Sequence, residues 1–173
     1  KFIDIDNYKW KDQKWLKNRT KNFDKTLNIY EVNLGSWKLK KEFTDTEDGE
    51  FYSYEELIDM IIPYAVENGF THLELMPLNE FSFDGSWGYQ ATGYFSATSR
   101  YGNPKQLMKF VDECHKAGLG VIMDMVLAHF VKDAHGLVQF DEGFVYEYAD
   151  VNRRYSEWDS VYFDAGKDEV RSF

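Results

Sequence analysis

GVIMDMVL, residues 120–127, is the stretch on which the fold turns. Its near-continuous apolar character predicts a strand covered on both faces, as a parallel sheet buried by helices requires. Upstream of it, Asn103 as N-cap and Pro104 at the first helical position open a helix. Its apolar stripe is Leu107, Phe110, Val111 and Cys114, and Gly118 is its stop. Thr71 to Met76 reads as a preceding strand closed by Pro77. Before that, Ser53 and Glu56 make a capping-box signature ahead of Leu57, Met60, Ile61, Tyr64 and Ala65, whose spacing is helical, and Gly69 follows. Pro63 inside this helix predicts a kink or two pieces, since it removes one helical hydrogen bond. The run LNIYEV, Leu27 to Val32, reads as the first strand. The order is therefore β-loop-α-β-loop-α-β.

Two long segments interrupt this order. Phe81 to Tyr101, FSFDGSWGYQATGYFSATSRY, crowds seven aromatic residues into a Gly- and Ser-rich stretch that reads as a long aromatic-lined loop. Ala128 to Tyr162 is irregular again and predicts a second long insertion. Both follow strand C-termini, the end at which parallel α/β folds bind ligands, so the two loops are expected to share one site. The first strand runs into NLGSWK and carries no phosphate-binding glycine pattern, which favours a barrel segment over an open doubly wound sheet. Residues 1–26 read as a lead-in that packs on something through Tyr8, Trp10 and Trp15, and 27–173 as the α/β part.

The net charge of -10 argues against a nucleic-acid partner, because phosphate neutralisation needs clustered Lys and Arg. No apolar run approaches the roughly 18 residues of a membrane span, and the N-terminus shows no secretory h-region. Cys114 has no internal disulfide partner and falls in a predicted helix, where it reads as an inert core thiol, in keeping with a cytoplasmic protein.

Asp124 interrupts the apolar run, and a buried carboxylate there needs a partner. Strand alternation puts Ile122, Asp124 and Val126 on one face, the interior in a barrel. Asp124 is either a structural carboxylate or a contact for a substrate or catalytic group. His129 lies five residues later, where it could donate to a ligand hydroxyl or be an ordinary loop histidine. Asp124, His129 and His135 lack compact metal-ligand spacing, so no metal is expected. Trp87 and Tyr89 could offer ring faces to a sugar or simply roof the core. His72 and His115 fall in predicted core elements and read as structural, and no nucleophilic triad is legible.

The stretch THLELMPLNEFSFDGSWGYQATGYFSATSRYGNPKQLMKFVDECHKAGLGVIMDMVLAHFVKDAHGL, with IYEVNLGSW upstream and WDSVYFDAGKDEVRSF downstream, resembles the glycogen (1,4-α-glucan) branching enzymes of the α-amylase superfamily. The resemblance covers about residues 27 to 173. It implies the first three βα units of a (β/α)8 TIM barrel, with long loops after strands 2 and 3. It further implies an enzyme that cleaves α-1,4-glucan and transfers the chain to a 6-hydroxyl, with an α-glucan as partner and no cofactor. It would give Tyr89 a stacking role at the cleavage site, keep Trp87 as a substrate contact, and match Asp124 and His129 to a shared motif in which the Asp supports the catalytic centre and the His binds a sugar hydroxyl. Ala128 stands where calcium-binding amylases carry an Asn ligand, so no calcium is expected there. The implied nucleophile, acid/base and second aspartate are expected beyond Phe173. The chain alone is then expected to be inactive and to self-associate through open sheet edges. A non-catalytic glucan-binding module and a related superfamily hydrolase are the alternatives.

Overall fold

Six α-helices and nine β-strands make up the main elements of the computed structural model, which describes residues 3–19 and 24–173. Residues 1–2 and 20–23 of the expected lead-in lie outside the described residues. The elements are α1 (Gln13–Asn18), β1 (Ile29–Val32), α2 (Leu34–Trp37), β2 (Leu39–Lys41), β3 (Glu50–Phe51), α3 (Tyr54–Glu67), β4 (His72–Leu75), β5 (Asn79–Phe81), β6 (Ala91–Ala97), α4 (Pro104–Lys116), β7 (Gly120–Met123), β8 (His129–Phe130), α5 (Val151–Arg154), β9 (Val161–Tyr162) and α6 (Asp168–Ser172). They divide into two compact units, residues 1–78 with 97–124 and residues 79–96 with 125–173.

In the first unit β1, β4 and β7 form a parallel sheet in that order. Ile29 lies opposite His72 and His72 opposite Gly120, and the register runs to Val32, Leu75 and Met123. Parallel neighbours need crossovers, and α3 and α4 supply them, packing against each other. α3 starts where expected: the Ser53 hydroxyl accepts from the Glu56 N–H, and the Glu56 carboxylate accepts from the Ser53 N–H at 2.9 Å. Beyond its end Gly69 sits at φ +73, a left-handed position that a side chain would strain. Tyr54, Leu57, Ile61 and Ala65 are wholly buried on one face against Leu73, Leu75, Phe110 and Cys114, each large apolar side chain contributing about 1.5–3 kcal/mol.

Of the two outcomes expected at Pro63, division into two pieces does not occur, since α3 is one helix of 14 residues. Pro63 faces solvent while Ile61, Ile62 and Ala65 around it are buried, so packing of the whole face outweighs one missing hydrogen bond. α4 is capped by Asn103, which accepts from the Lys105 and Gln106 N–H groups while Gln106 accepts from the Asn103 N–H at 2.8 Å. Phe110 and Cys114 of its stripe are fully buried, and burial pushes the Cys114 thiol up to about 12, an inert core group.

The lead-in docks on α4. The Tyr8 hydroxyl donates to Asp112 at 3.1 Å and the Lys11 N–H donates to the same carboxylate at 3.0 Å. Asp12 and His115 Nδ1 are 2.8 Å apart, and the Trp15 and His115 rings stack at 3.8 Å with 3° between planes. His115 is thus structural, and Asp112 is buried, because the lead-in supplies its donors.

β7 departs from the sequence reading. It ends at Met123 and does not reach Leu127, leaving Asp124 just past the strand and half-buried, while the alternation of less exposed Ile122, Asp124 and Val126 with exposed Met123, Met125 and Leu127 continues through it. The last rung runs from the Asp124 N–H to the Leu75 carbonyl at 3.0 Å. In a parallel ladder the next would need an N–H from Pro77, which has none. The run is also not covered on both faces: Met123, Met125 and Leu127 are 44%, 49% and 73% exposed.

The second unit is made of the two long segments. Phe81 to Tyr101 is not simply a loop, because β6 occupies seven residues of it and pairs with β5. The partner strand just upstream and the burial of Ala91 and Tyr94 give this Gly-rich run its ladder. The segment expected to be irregular contains β8 and β9, paired antiparallel with His129 opposite Tyr162. Ala91, Tyr94, Phe130, Val161 and Phe163 form the core of this unit.

Two substitutions test this account. Pro63→Ala restores a hydrogen bond on the exposed face of α3 and is expected to raise unfolding stability by about 1–3 kcal/mol, read as a higher urea midpoint. His115→Ala strips buried Asp12 of its partner and is expected to cost roughly 2–3 kcal/mol, with Trp15 emission changing as its stacked ring is lost.

Candidate active site

Trp87, Tyr89 and His129 all belong to the second unit, whereas Asp124 closes the first. Trp87 and Tyr89 are held by nested tight turns. The N–H groups of Ser86, Trp87 and Tyr89 donate to the carbonyls of Phe83, Asp84 and Ser86, each at 3.0 Å. Trp87 itself is left-handed, at φ 54 and ψ 25, a conformation costing a residue other than glycine about 1–2 kcal/mol. The following Gly88 is at φ 93. Consecutive left-handed residues turn the chain sharply and leave Trp87 50% exposed, with Tyr89 half-buried beside it. A flat ring open to solvent on a strained turn is a surface on which a pyranose ring can stack.

His129 is not the open loop histidine that the sequence allowed. It starts β8, its residue is only 8% exposed, and its carbonyl accepts from the Tyr94 hydroxyl at 2.6 Å. Its Nδ1 is buried with no hydrogen-bond partner among the described residues. The ring tilts over Trp158 with centroids 5.7 Å apart. Burial lowers its pKa, and the Glu157 carboxylate only partly opposes this. The imidazole is therefore neutral at neutral pH, with a nitrogen left over for a hydroxyl group. Trp158, 57% exposed, and Glu157 were not singled out by the sequence reading. Trp158 opens the run WDSVYFDAGKDEVRSF that carries part of the resemblance, but neither it nor Glu157 lies in an element long enough to show a period.

Asp124 lies at the carboxyl end of β7, the end that the register shares with Val32 and Leu75. Among the described residues no group of three or more His, Cys, Asp or Glu side chains is placed to hold a metal ion, and no helix is long and apolar enough to cross a membrane.

A parallel sheet with helical crossovers agrees with what sequence comparison finds. The pattern of the α-amylase catalytic domain matches residues 39–159, and the chain belongs to that family. Within it, the chain is 54% identical over 172 residues to the 1,4-alpha-glucan branching enzyme GlgB of Geobacillus stearothermophilus, covering 98% of this chain and 26% of the relative. It is 50% identical over 166 residues to that of Fusobacterium nucleatum, covering 96% of this chain and again 26% of the relative. The chain thus spans about a quarter of the length of the relatives it matches. Among solved structures, an alpha amylase crystal structure from Salmonella typhimurium superposes with TM-score 0.73 at 25% identity, covering 98% of this chain and 25% of that one. The alpha-amylase of Geobacillus thermoleovorans complexed with acarbose gives TM-score 0.61 at 19% identity over 83% of this chain and 34% of its own, a likeness of fold.

The depressed His129 pKa has a stability consequence. As pH falls, the unfolded chain takes up this proton first, near the ordinary value of 6.5. The stability that neutral His129 permits is complete above that value and is lost as pH falls through it towards the lower folded-state pKa. His129→Asn is expected to flatten this component. Urea midpoints of both proteins between about pH 7.5 and about pH 5.5 should converge at the acidic end, and parallel curves would refute the assignment.

Proposed function

We propose that the chain forms part of a 1,4-α-glucan branching enzyme. The reaction cleaves an α-1,4 bond of a glucan, holds the released chain as a covalent glycosyl-enzyme, and transfers it to the 6-hydroxyl of an acceptor to make an α-1,6 branch. Two displacements at the same carbon retain its configuration. The observation that carries this reading is the 54% identity to a branching enzyme over 98% of the chain. In it, Tyr89 stacks on the sugar at the cleaved bond and Trp87 extends that aromatic surface. The neutral imidazole of His129, with its Nδ1 unpartnered among the described residues, bonds a sugar hydroxyl, and Asp124 supports the catalytic centre from the end of β7.

The nucleophile and the acid/base belong, in this reading, to later strands of the same barrel, so the chain alone transfers no glucan. Its sheet would then be completed by those strands. β1 and β7 present open edges here, with Ile29 and Met123 about two-fifths exposed, which favours association of the isolated chain.

In a polypeptide carrying this chain through the later barrel strands, incubation with amylose is expected to yield α-1,6 linkages, seen as new anomeric signals by NMR. Tyr89→Ala and His129→Asn should each lower that rate by about 10²-fold or more without changing the thermal midpoint comparably. Free sugar in place of branches would point to a hydrolase, and tight maltooligosaccharide binding by the isolated chain with no turnover after completion would point to a binding module.

A further inference from the structure

The turn of residues 156–160, just before β9, carries Trp158, which no step of the proposed reaction uses. It is held from several sides. The Ser156 and Ser160 hydroxyls lie 2.6 Å apart, the Ser156 N–H donates to the Ser160 carbonyl at 2.9 Å, and the N–H groups of Trp158 and Ser160 both donate to the Ser156 hydroxyl at 3.2 Å. Asp159, left-handed at φ 57, is ion-paired to Lys132. The Trp158 carbonyl accepts from the Gln90 side chain at 3.4 Å, which ties the turn to the residue after Tyr89. The Glu157 carboxylate accepts from the Tyr162 hydroxyl at 3.1 Å, and Tyr162 lies opposite His129 in the β8–β9 pair.

These ties do not serve to bury the indole, because Trp158 stays 57% exposed. A left-handed residue other than glycine persists only where its surroundings hold it, commonly at functional sites. What the turn fixes is the relation of the indole to His129, with ring centroids 5.7 Å apart and 35° between planes. The open indole thus stands against a histidine that is only 8% exposed. Burial lowers the pKa of that imidazole, and Glu157 is the charged group that opposes the effect. Nδ1 is buried without a partner among the described residues, so a ligand meets the ring through Nε2. That nitrogen points in one direction only while the ring plane is fixed. The rung to Tyr162 and the bond from the Tyr94 hydroxyl both act on the His129 main chain and do not fix its ring. The indole is the ring contact that does.

We propose that Trp158 is a positioning residue: as a pinned wall beside the His129 imidazole, it keeps water from the ring and fixes the plane from which Nε2 meets a sugar hydroxyl. That the ligand is a sugar rests on the proposed function; the coupling of Trp158 to the His129 ring does not.

The test is a double-mutant cycle in a polypeptide carrying this chain through the later barrel strands, with an NMR pH titration of the His129 ring in this chain beside it. Trp158→Ala is expected to lower kcat for branching about tenfold with little change in KM. On a His129→Asn background it should cause no further loss, because its effect runs through the histidine. Trp158→Phe keeps a flat ring on the same turn and should recover most of the rate. In the titration, Trp158→Ala should move the His129 pKa up to or past the ordinary 6.5, because water then reaches the ring, whereas Trp158→Phe should leave it near the wild-type value. Trp158 is more than half exposed, so both variants are expected to keep the wild-type urea midpoint. An equal loss of rate with and without His129 would overturn the positioning role and make the indole a sugar contact in its own right. A His129 titration that Trp158→Ala leaves unmoved would overturn it as well. If the wild-type polypeptide makes no branches, the proposed function fails, and the titration alone decides whether Trp158 governs the imidazole: a raised pKa upholds that coupling and an unmoved one refutes it.

Discussion

Pro77 sets the limit on which the rest of the arrangement depends. A parallel ladder advances by alternate N–H donors, and the rung after the Asp124 N–H to Leu75 carbonyl bond would have to be donated by a residue that has no N–H. The sheet therefore stops at Leu75 and Met123, and the chain is released from β4 and from β7 at the same end. What is released, residues 79–96 and 125–173, gathers into a unit of its own. Tyr94 from the first segment donates its hydroxyl to the His129 carbonyl of the second. Its own carbonyl accepts from the Asn79 side chain, so the candidate histidine is positioned by the segment that carries the candidate aromatics.

Within the first unit, the order of elements follows from short-range chemistry. Capping boxes at Ser53 and Asn103 fix where α3 and α4 begin, and left-handed glycines at 69 and 118 fix where the chain can turn back into β4 and β7. These devices were legible in the sequence because each is a matter of residues three or four apart. The apolar spacing of Leu57, Ile61 and Ala65, and of Phe110 and Cys114, likewise reports the buried faces directly.

What was not legible depends on partners far away along the chain. Asp112 looks like a surface residue of an amphipathic helix until Tyr8 and Lys11 reach it from about a hundred positions away. GVIMDMVL looks like a fully covered strand, yet its second half has no ladder partner and its methionines stay open. β6 hides in a run whose Gly, Ser and aromatic content suggests a loop, and only pairing with β5 makes it a strand. For the candidate site, Trp87, Tyr89 and His129 stood out by residue type and context, whereas Trp158 could not. Its significance lies in a ring contact with His129, which has no sequence period.

The two units also divide the backbone strain. Among the described residues, every left-handed position in the first unit is a glycine, at 69, 102 and 118, where the conformation costs little. All five left-handed residues that are not glycine, Trp87, Gln139, Asp141, Glu142 and Asp159, fall in the second. At about 1–3 kcal/mol each, such a set is a sizeable fraction of a domain's net stability of about 5–15 kcal/mol, and it is tolerable only if the second unit is held at its ends by something more stable. The sheet and its two capped helices meet that need covalently, since residues 79–96 leave from β4 and lead back into α4, and residues 125–173 run on from β7. A scaffold built from unstrained elements thus permits a loop unit whose conformations depart from the local preferences of its own residues, leaving the Trp87 ring exposed and His129 Nδ1 without a partner among the described residues.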